Sequence, residues 1–276
     1  MLQFFRRPSA NSKGLDCSSG VKGAIYFVSM NRFFVDPNDI QGDDVHLSKA
    51  QVHQIYHVLR LRTGDRMVVL DNAGSEFEVE LAAPSPRQVE GRILARRAAQ
   101  GEPDVDLVLH QGLLARDKFE HVLQKGTEVG VKRFVPVITE RSIVQDSRAF
   151  TNDRVERWQR IITEAAEQSG RGLIPQLRPP IRLEQALAEH GGVDVHLMGC
   201  PGPGGQSLHA VLATTPRPKA VSLCIGAEGG FTEREVDLAR SAGWKVFSLG
   251  RRVLRTETAA VVASGLVLYE LGQMEP

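Results

Sequence analysis

Arg251, Arg252, Arg255 and Glu257 place three guanidinium groups and one carboxylate within a short stretch that follows the apolar run Lys245 to Leu249. A carboxylate beside cations can accept a proton while the cations hold developing negative charge, so the spacing suits chemistry on a polar or anionic substrate. A second loop, Ile225-Gly226-Ala227-Glu228-Gly229-Gly230-Phe231-Thr232, also follows an apolar run and concentrates glycine where backbone must approach something closely. Both loops precede a helical pattern. Both are therefore expected outside the carboxyl ends of strands, where open α/β sheets bind ligands. Taken singly, each has a plain reading: Glu228 with Thr232 and Glu235 as a capped helix start, and Arg255 with Glu257 as an ion pair at another. Their joint occurrence points to one site.

The elements that must position these loops alternate along the chain. Apolar runs predict strands at Val105 to Leu109, Arg133 to Ile138, Val193 to Met198, Ala220 to Ile225 and Lys245 to Leu249. Helical spacing predicts helices at Asp117 to Val129, Asp153 to Ser169, Leu183 to His190, Glu233 to Ala242 and Glu257 to Leu271. This alternation is the signature of a mostly parallel α/β sheet. The last helix is apolar nearly all round, so either its own domain or a second subunit must cover more than one side. The glycine- and proline-rich stretch Gly199 to Gly205 fits no nucleotide-binding pattern, and its prolines remove N–H groups that a phosphate cradle would use. Its position after a strand still places Met198 and Gly199 near the expected crevice.

Ahead of this, residues 30–97 read as a small β-rich unit with one helix, and residues 98–104 as a linker combining Gly and Pro without apolar periodicity. Ser48 and Gln51 form a capping box, and Val52, Ile55 and Leu59 make a buried helical face. His53, His57 and Arg60 fall at i, i+4 and i+7 on another face. Two imidazoles at i, i+4 could share a metal, but no third ligand accompanies them, and no metal site is expected. Between flanking cations they read as a phosphate-contacting face or as a solvated one. Hairpin and strand patterns from Met67 to Leu94 suit a small barrel.

The 276 residues carry a formal net charge of +1, so any nucleic-acid contact must come from local patches such as His46 to Arg66, with Lys49, Arg60, Arg62 and Arg66. Three cysteines without metal-type or paired spacing, Cys17, Cys200 and Cys224, point to a reducing, cytoplasmic setting. No apolar run approaches the roughly 18 to 20 residues of a membrane span. Residues 1–29 are basic, serine-containing and poor in acids, and are expected to be a disordered extension. An organelle transit peptide would share that character.

The two loops closely resemble the C-terminal signatures of the ribosomal RNA small subunit methyltransferase E family. Three further segments agree: Gln124 to Val131 with Thr139-Glu140-Arg141-Ser142, Arg157-Trp158 with Glu164 to Arg171, and His53 to Leu61. Two departures stand out: Ala227 replaces a customary proline, and Gln54 follows His53 where the family commonly pairs histidines.

The resemblance implies a PUA-like barrel over residues 30–97 ahead of a trefoil-knotted SPOUT methyltransferase domain over residues 105–276, and a homodimer. It also implies methyl transfer from S-adenosylmethionine to N3 of a uridine in 16S ribosomal RNA. Main chain at Gly226, Glu228, Gly229, Gly230, Leu249, Gly250, Val253 and Leu254, with Met198, Gly199, Thr256 and Thr258, is then expected to enclose the cofactor. Arg255 is expected to stabilise charge, and Glu257 or Glu228 to take the proton. Arg32, His53, Arg60, Arg62, Lys125, Arg141 and Arg171 are expected to touch RNA. A related methyltransferase acting on ribose 2′-hydroxyl or transfer RNA, and a noncatalytic RNA-binding assembly factor, are the alternatives.

Overall fold

Apolar stretches that alternate with polar ones along residues 31–98 fold into a six-stranded sheet of order β1-β4-β5-β6-β3-β2. Its strands are β1 (Arg32–Phe34), β2 (Ile40–Gln41), β3 (Asp44–His46), β4 (Arg66–Leu70), β5 (Ser75–Leu81) and β6 (Glu90–Ala98). Only β1 and β4 pair in parallel; the other pairs are antiparallel. Among the described residues the edge strands β1 and β2 do not pair with each other, so the sheet is an open half-barrel. The computed structural model describes residues 30–82, 84–142, 151–202, 205–215 and 217–275. The expected N-terminal extension, and Cys17 within it, lie outside the described residues.

Helix α1 (Lys49–Val52) starts at the expected capping box: the Ser48 side chain accepts from Gln51 N–H, and the Gln51 side chain accepts from Ser48 N–H. It then widens into a π-helical turn, His53–Leu59, closed by Arg60 in the left-handed conformation at φ 56°. Val52 and Ile55 are buried in the core of the small sheet, as the periodicity predicts. Arg60 leaves the helix and does not continue the face begun by His53 and His57. The wider turn rotates it away from α-helical spacing.

A second sheet is parallel in all its pairings and runs in the order β10-β8-β7-β13-β11-β14-β12, with β9 also against β8. Its strands are β7 (Asp106–Gly112), β8 (Arg133–Ile138), β9 (Gln176–Leu177), β10 (Ile181–Arg182), β11 (Val195–Gly199), β12 (Gln206–Ser207), β13 (Ala220–Ile225) and β14 (Lys245–Ser248). Helices α2 (Arg116–Val129), α3 (Asn152–Ser169), α4 (Leu183–Ala188), α5 (Leu208–Ala213), α6 (Glu233–Ser241) and α7 (Thr256–Glu270) connect them. One apolar core lies beneath α2, α3 and α7 and holds Phe119, Phe134, Trp158, Leu223 and Phe247. Another, with Val137, Leu187, Met198 and Trp244, lies beneath α4 and α6. Helices on both faces are what a parallel sheet requires to bury both sides.

Both sheets belong to one compact unit, Asn31–Pro276. Arg171 is where the segment after α3 is fastened. Its guanidinium donates to the carbonyls of Thr127 and Val131, at 3.2 and 2.6 Å, and to both oxygens of Glu102, at 3.1 and 2.6 Å. The Glu102 carboxylate also accepts the N–H groups of Gly172 and Leu173. A guanidinium only 2% exposed must be paired in this way, because an uncompensated buried charge is prohibitively costly. Arg171 is therefore a structural residue, and its expected contact with RNA is corrected.

Candidate functional site

Strand order brings together loops that are distant in sequence. Strand β11 lies between β13 and β14, with Met198 and Gly199 opposite Cys224 and Ile225 on one side and Val246 and Phe247 on the other. Their carboxyl ends therefore open side by side. The loops that follow enclose a cleft of about 520 Å³, within the size range of small-molecule sites. Its floor and walls are Gly199, Ile225, the Gly226–Gly230 loop, and Leu249 with the Arg252–Glu257 loop.

Two buried polar side chains hold the two loops against each other. Thr256 Oγ1 donates to the carbonyl of Gly226 at 2.5 Å. Gln111, at the carboxyl end of β7, directs Nε2 to the Gly226 carbonyl and to Thr256 Oγ1, both at 3.2 Å. The main chain is close there: a Cβ added at Gly226 would lie 3.1 Å from the carbonyl carbon of Gly230, and one at Gly112 only 2.3 Å from the Ala227 nitrogen. Glycine at 226 lets the loop fold back on itself, and at 112 it lets the β7 end pass beneath the loop.

The two candidate carboxylates differ in their surroundings. Glu228 Oε1 accepts from Ala115 N–H at 3.3 Å and Lys118 Nζ at 3.2 Å. Partial burial acts to raise its pKa, but hydrogen bonds from its own N–H, from Ala115 and from Lys118, with the Lys118 charge, outweigh that and hold it below the usual range. Glu257 lies in the first turn of α7, and its Oε2 is buried with no hydrogen-bond partner among the described residues. Arg255 is exposed and lines the same lip of the cleft. Cys200 also lines the cleft, but burial pushes its thiol up to about 11, which leaves it protonated and unreactive at neutral pH.

Among the expected cofactor contacts, Gly199, Gly226, Glu228, Gly229, Gly230, Leu249, Val253, Leu254 and Thr256 line the cleft. Met198, Gly250 and Thr258 do not. Met198 is fully buried in the core beneath α4 and α6, and Thr258 is exposed one residue beyond Glu257. Sequence reasoning missed Lys118 and Gln111. A glutamine closing the buried run of β7 was the one available signal, since a buried amide requires partners.

The expected RNA contacts separate into exposed and committed side chains. His53, Arg60 and Arg62 are exposed on the small sheet's helix and the loop after it. The His53 and His57 rings lie 5.1 Å apart. Lys125 pairs with Glu128 at 2.7 Å on α2. Arg141 donates to the Gly229 carbonyl at 2.9 Å and lines a groove on the far side of that loop. Arg32 is corrected: only 10% of its side chain is exposed, and it pairs with Glu76, which Arg97 also engages. Among the described residues no group of three His, Cys, Asp or Glu is placed to hold a metal ion, and no helix is long and apolar enough to cross a membrane.

An open parallel sheet with a small-molecule cleft at its carboxyl edge, lipped by an arginine and a carboxylate and joined to a small, mostly antiparallel sheet, defines an α/β protein with a ligand-binding cleft. An RNA methyltransferase domain profile matches residues 101–268, and an RNA methyltransferase PUA domain profile matches residues 47–94. The ribosomal RNA small subunit methyltransferase E of Synechocystis is 34% identical over 88% of this chain and 78% of its own length; that of Bacillus subtilis is 29% identical over 87% and 97%. The crystal structure of the Neisseria gonorrhoeae enzyme bound to S-adenosylmethionine superposes with a TM-score of 0.78 at 31% identity, covering 87% of this chain and 97% of that one. The structure of a Legionella pneumophila protein with the same bound cofactor gives 0.79 at 31% identity, over 87% and 97%. The chain belongs to the ribosomal RNA small subunit methyltransferase E family. The resemblance read from its loops is borne out.

Proposed function

We propose that this protein methylates N3 of a uridine in 16S ribosomal RNA of the small ribosomal subunit, with S-adenosylmethionine as methyl donor. The observation that carries the reading is the pair of loops pinned by Thr256 and Gln111 around one cleft, with Arg255 and Glu257 at its lip. The cleft suits that donor: its main chain is bare of side chains at Gly226, Gly229 and Gly230, and Ile225, Leu249, Leu254 and Ala259 offer apolar surface for a flat purine. The Gly226–Gly230 and Leu249–Leu254 segments would hold it. When bound, the donor supplies an electrophilic sulfonium methyl group.

The protein's own part is to place the base and manage its proton. Uracil N3 bears a proton that must leave for N3 to act as a nucleophile. Glu257 has a buried carboxylate oxygen with unused accepting capacity, so it is the better acceptor. Glu228 is committed to Ala115 and Lys118, and its lowered pKa makes it a weak base; its role is to brace the loop. Arg255 stabilises the negative charge that spreads over the uracil oxygens. The exposed cations around α1 and the loop after it bind the RNA backbone, with the half-barrel serving as the PUA-like RNA-binding unit.

Membership of the methyltransferase E family supports a trefoil-knotted connection of the SPOUT type in the sheet that carries β7, β13, β11 and β14. Val262, Leu266 and Tyr269 leave an exposed apolar stripe on α7, which supports a homodimer. The opposite face of α7, with Ala260, Ala263, Val267 and Leu268, is buried in its own core. A cytoplasmic location accompanies this substrate. Incubating the protein with small subunits and labelled donor, followed by nucleoside mass spectrometry, should yield N3-methyluridine. Product at a ribose 2′-oxygen, or no product, overturns the proposal.

A further inference from the structure

Phe34, at the end of β1, is held from two sides. Its N–H donates to Glu167 Oε1 on α3 at 3.0 Å, and its carbonyl accepts from Gln51 Nε2 at 2.5 Å. Gln51 is the residue whose Oε1 takes the Ser48 N–H, at 2.8 Å, to close the capping box of α1. Phe33 and Val35 pack into the core of the small sheet, so Phe34 between them faces the other way and is buried where β1 packs on α3. A continuous run of hydrogen bonds thus leads from a helix of the parallel sheet, through one backbone unit, to the cap of the helix that carries His53 and His57.

We infer that Glu167 is a positioning residue that sets the orientation of α1, and with it the presented RNA, relative to the cleft. The inference rests on the proposed RNA-methylating function. Glu167 is not the only tie between the sheets. Asn72 Oδ1 accepts the Ile174 N–H at 2.7 Å, and the Glu102–Arg171 pair fastens the segment between them. These other ties hold the two sheets together, whereas Glu167 reaches α1. Its carboxyl is pushed up to about 7, by burial first and by Glu164 as well, against the lowering effect of the Phe34 N–H. Glutamine therefore resembles the neutral form present near pH 7 and keeps an acceptor oxygen.

The experiment compares wild type, Glu167→Gln and Glu167→Ala in two assays. Hydrogen exchange of peptides covering 31–47 and 48–62 reads the fastening of α1. Steady-state methylation of small subunits, with separately measured affinity for S-adenosylmethionine, reads its consequence. Glu167→Ala should speed exchange in both peptides and raise KM for subunits roughly tenfold, the scale of one buried hydrogen bond, with cofactor affinity unchanged. Glu167→Gln should stay within about twofold of wild type in both.

Unchanged exchange in Glu167→Ala overturns the inference, and so does faster exchange with an unchanged KM. Equal damage in Glu167→Gln also overturns it, because an acceptor would then not be what matters. If wild type itself fails to methylate subunits, the functional reading is what falls. The exchange assay then decides by itself whether Glu167 orients α1.

Discussion

Replacing Arg171 by methionine separates a structural arginine from an RNA-binding one. The side chain keeps similar length and apolar contacts, but four hydrogen bonds disappear: those to Thr127 and Val131 carbonyls and the two to Glu102. Two buried carbonyls and a carboxylate 22% exposed then lose their cation. Breaking a buried pair from one side costs about 3–5 kcal/mol, since the remaining charge stays desolvated. An unfolding entropy of about 2.1 cal/mol/K per residue over the chain makes that a fall in Tm of roughly 5–9 °C. Thermal unfolding by circular dichroism measures it directly. Glu102→Gln combined with Arg171→Met should lose less than the sum of the two single changes, because the second removes the charge stranded by the first. Binding of the folded variant to ribosomal RNA, and its salt dependence, should match wild type. A Tm within about 2 °C of wild type, together with weakened and less salt-dependent RNA binding, would refute the argument and restore Arg171 to the RNA surface.

Thr256→Val keeps the shape but removes the bond to the Gly226 carbonyl, and should weaken S-adenosylmethionine binding about tenfold by calorimetry, the effect of one buried hydrogen bond. Glu257→Gln should lower kcat by about 10²–10⁴ with little change in cofactor affinity, and Glu228→Gln should change kcat far less; the reverse ranking in single-turnover assays would exchange their roles. Stability should also depend on His110, whose burial, with the His196 and Arg133 charges, lowers its pKa from 6.5 to about 4. The unfolded chain binds the proton more readily, so this contribution is complete above about pH 6.5 and is lost as pH falls towards 4. His110→Gln should flatten the Tm–pH profile across that window, and an equally steep profile would contradict it.

The strands Arg133–Ile138 and Ala220–Ile225 were readable to the residue because each is a short apolar run bounded by polar or turn-forming residues. Helix α5 and the paired dipeptides β9, β10 and β12 were not. A dipeptide strand is too short to establish a period, and α5 ends before a second helical turn is complete. The cleft loops were legible for a local reason: glycines needed for close approach and charges needed for chemistry lie within a few residues of each other. That β11 would separate β13 from β14, and so bring the loops together, is a property of strand order.

The sequence by itself determined the types of the longer elements of the parallel sheet, the capping box at Ser48, the family and the composition of the two loops, because propensity, periodicity and motif are all properties of neighbours along the chain. Tertiary structure alone decided the fate of the charges. Arg32 and Arg171 have the same formula as Arg60 and Arg62, but partners distant in sequence, Glu76 and Glu102, bury the first two and leave the others at the surface. It also set the surroundings of the two carboxylates apart: Lys118 and Ala115 approach Glu228 from another element, and Glu257 keeps an oxygen without a hydrogen-bond partner among the described residues. A side chain's charge is set by its chemistry, but its solvation and partners are set by what the fold packs around it.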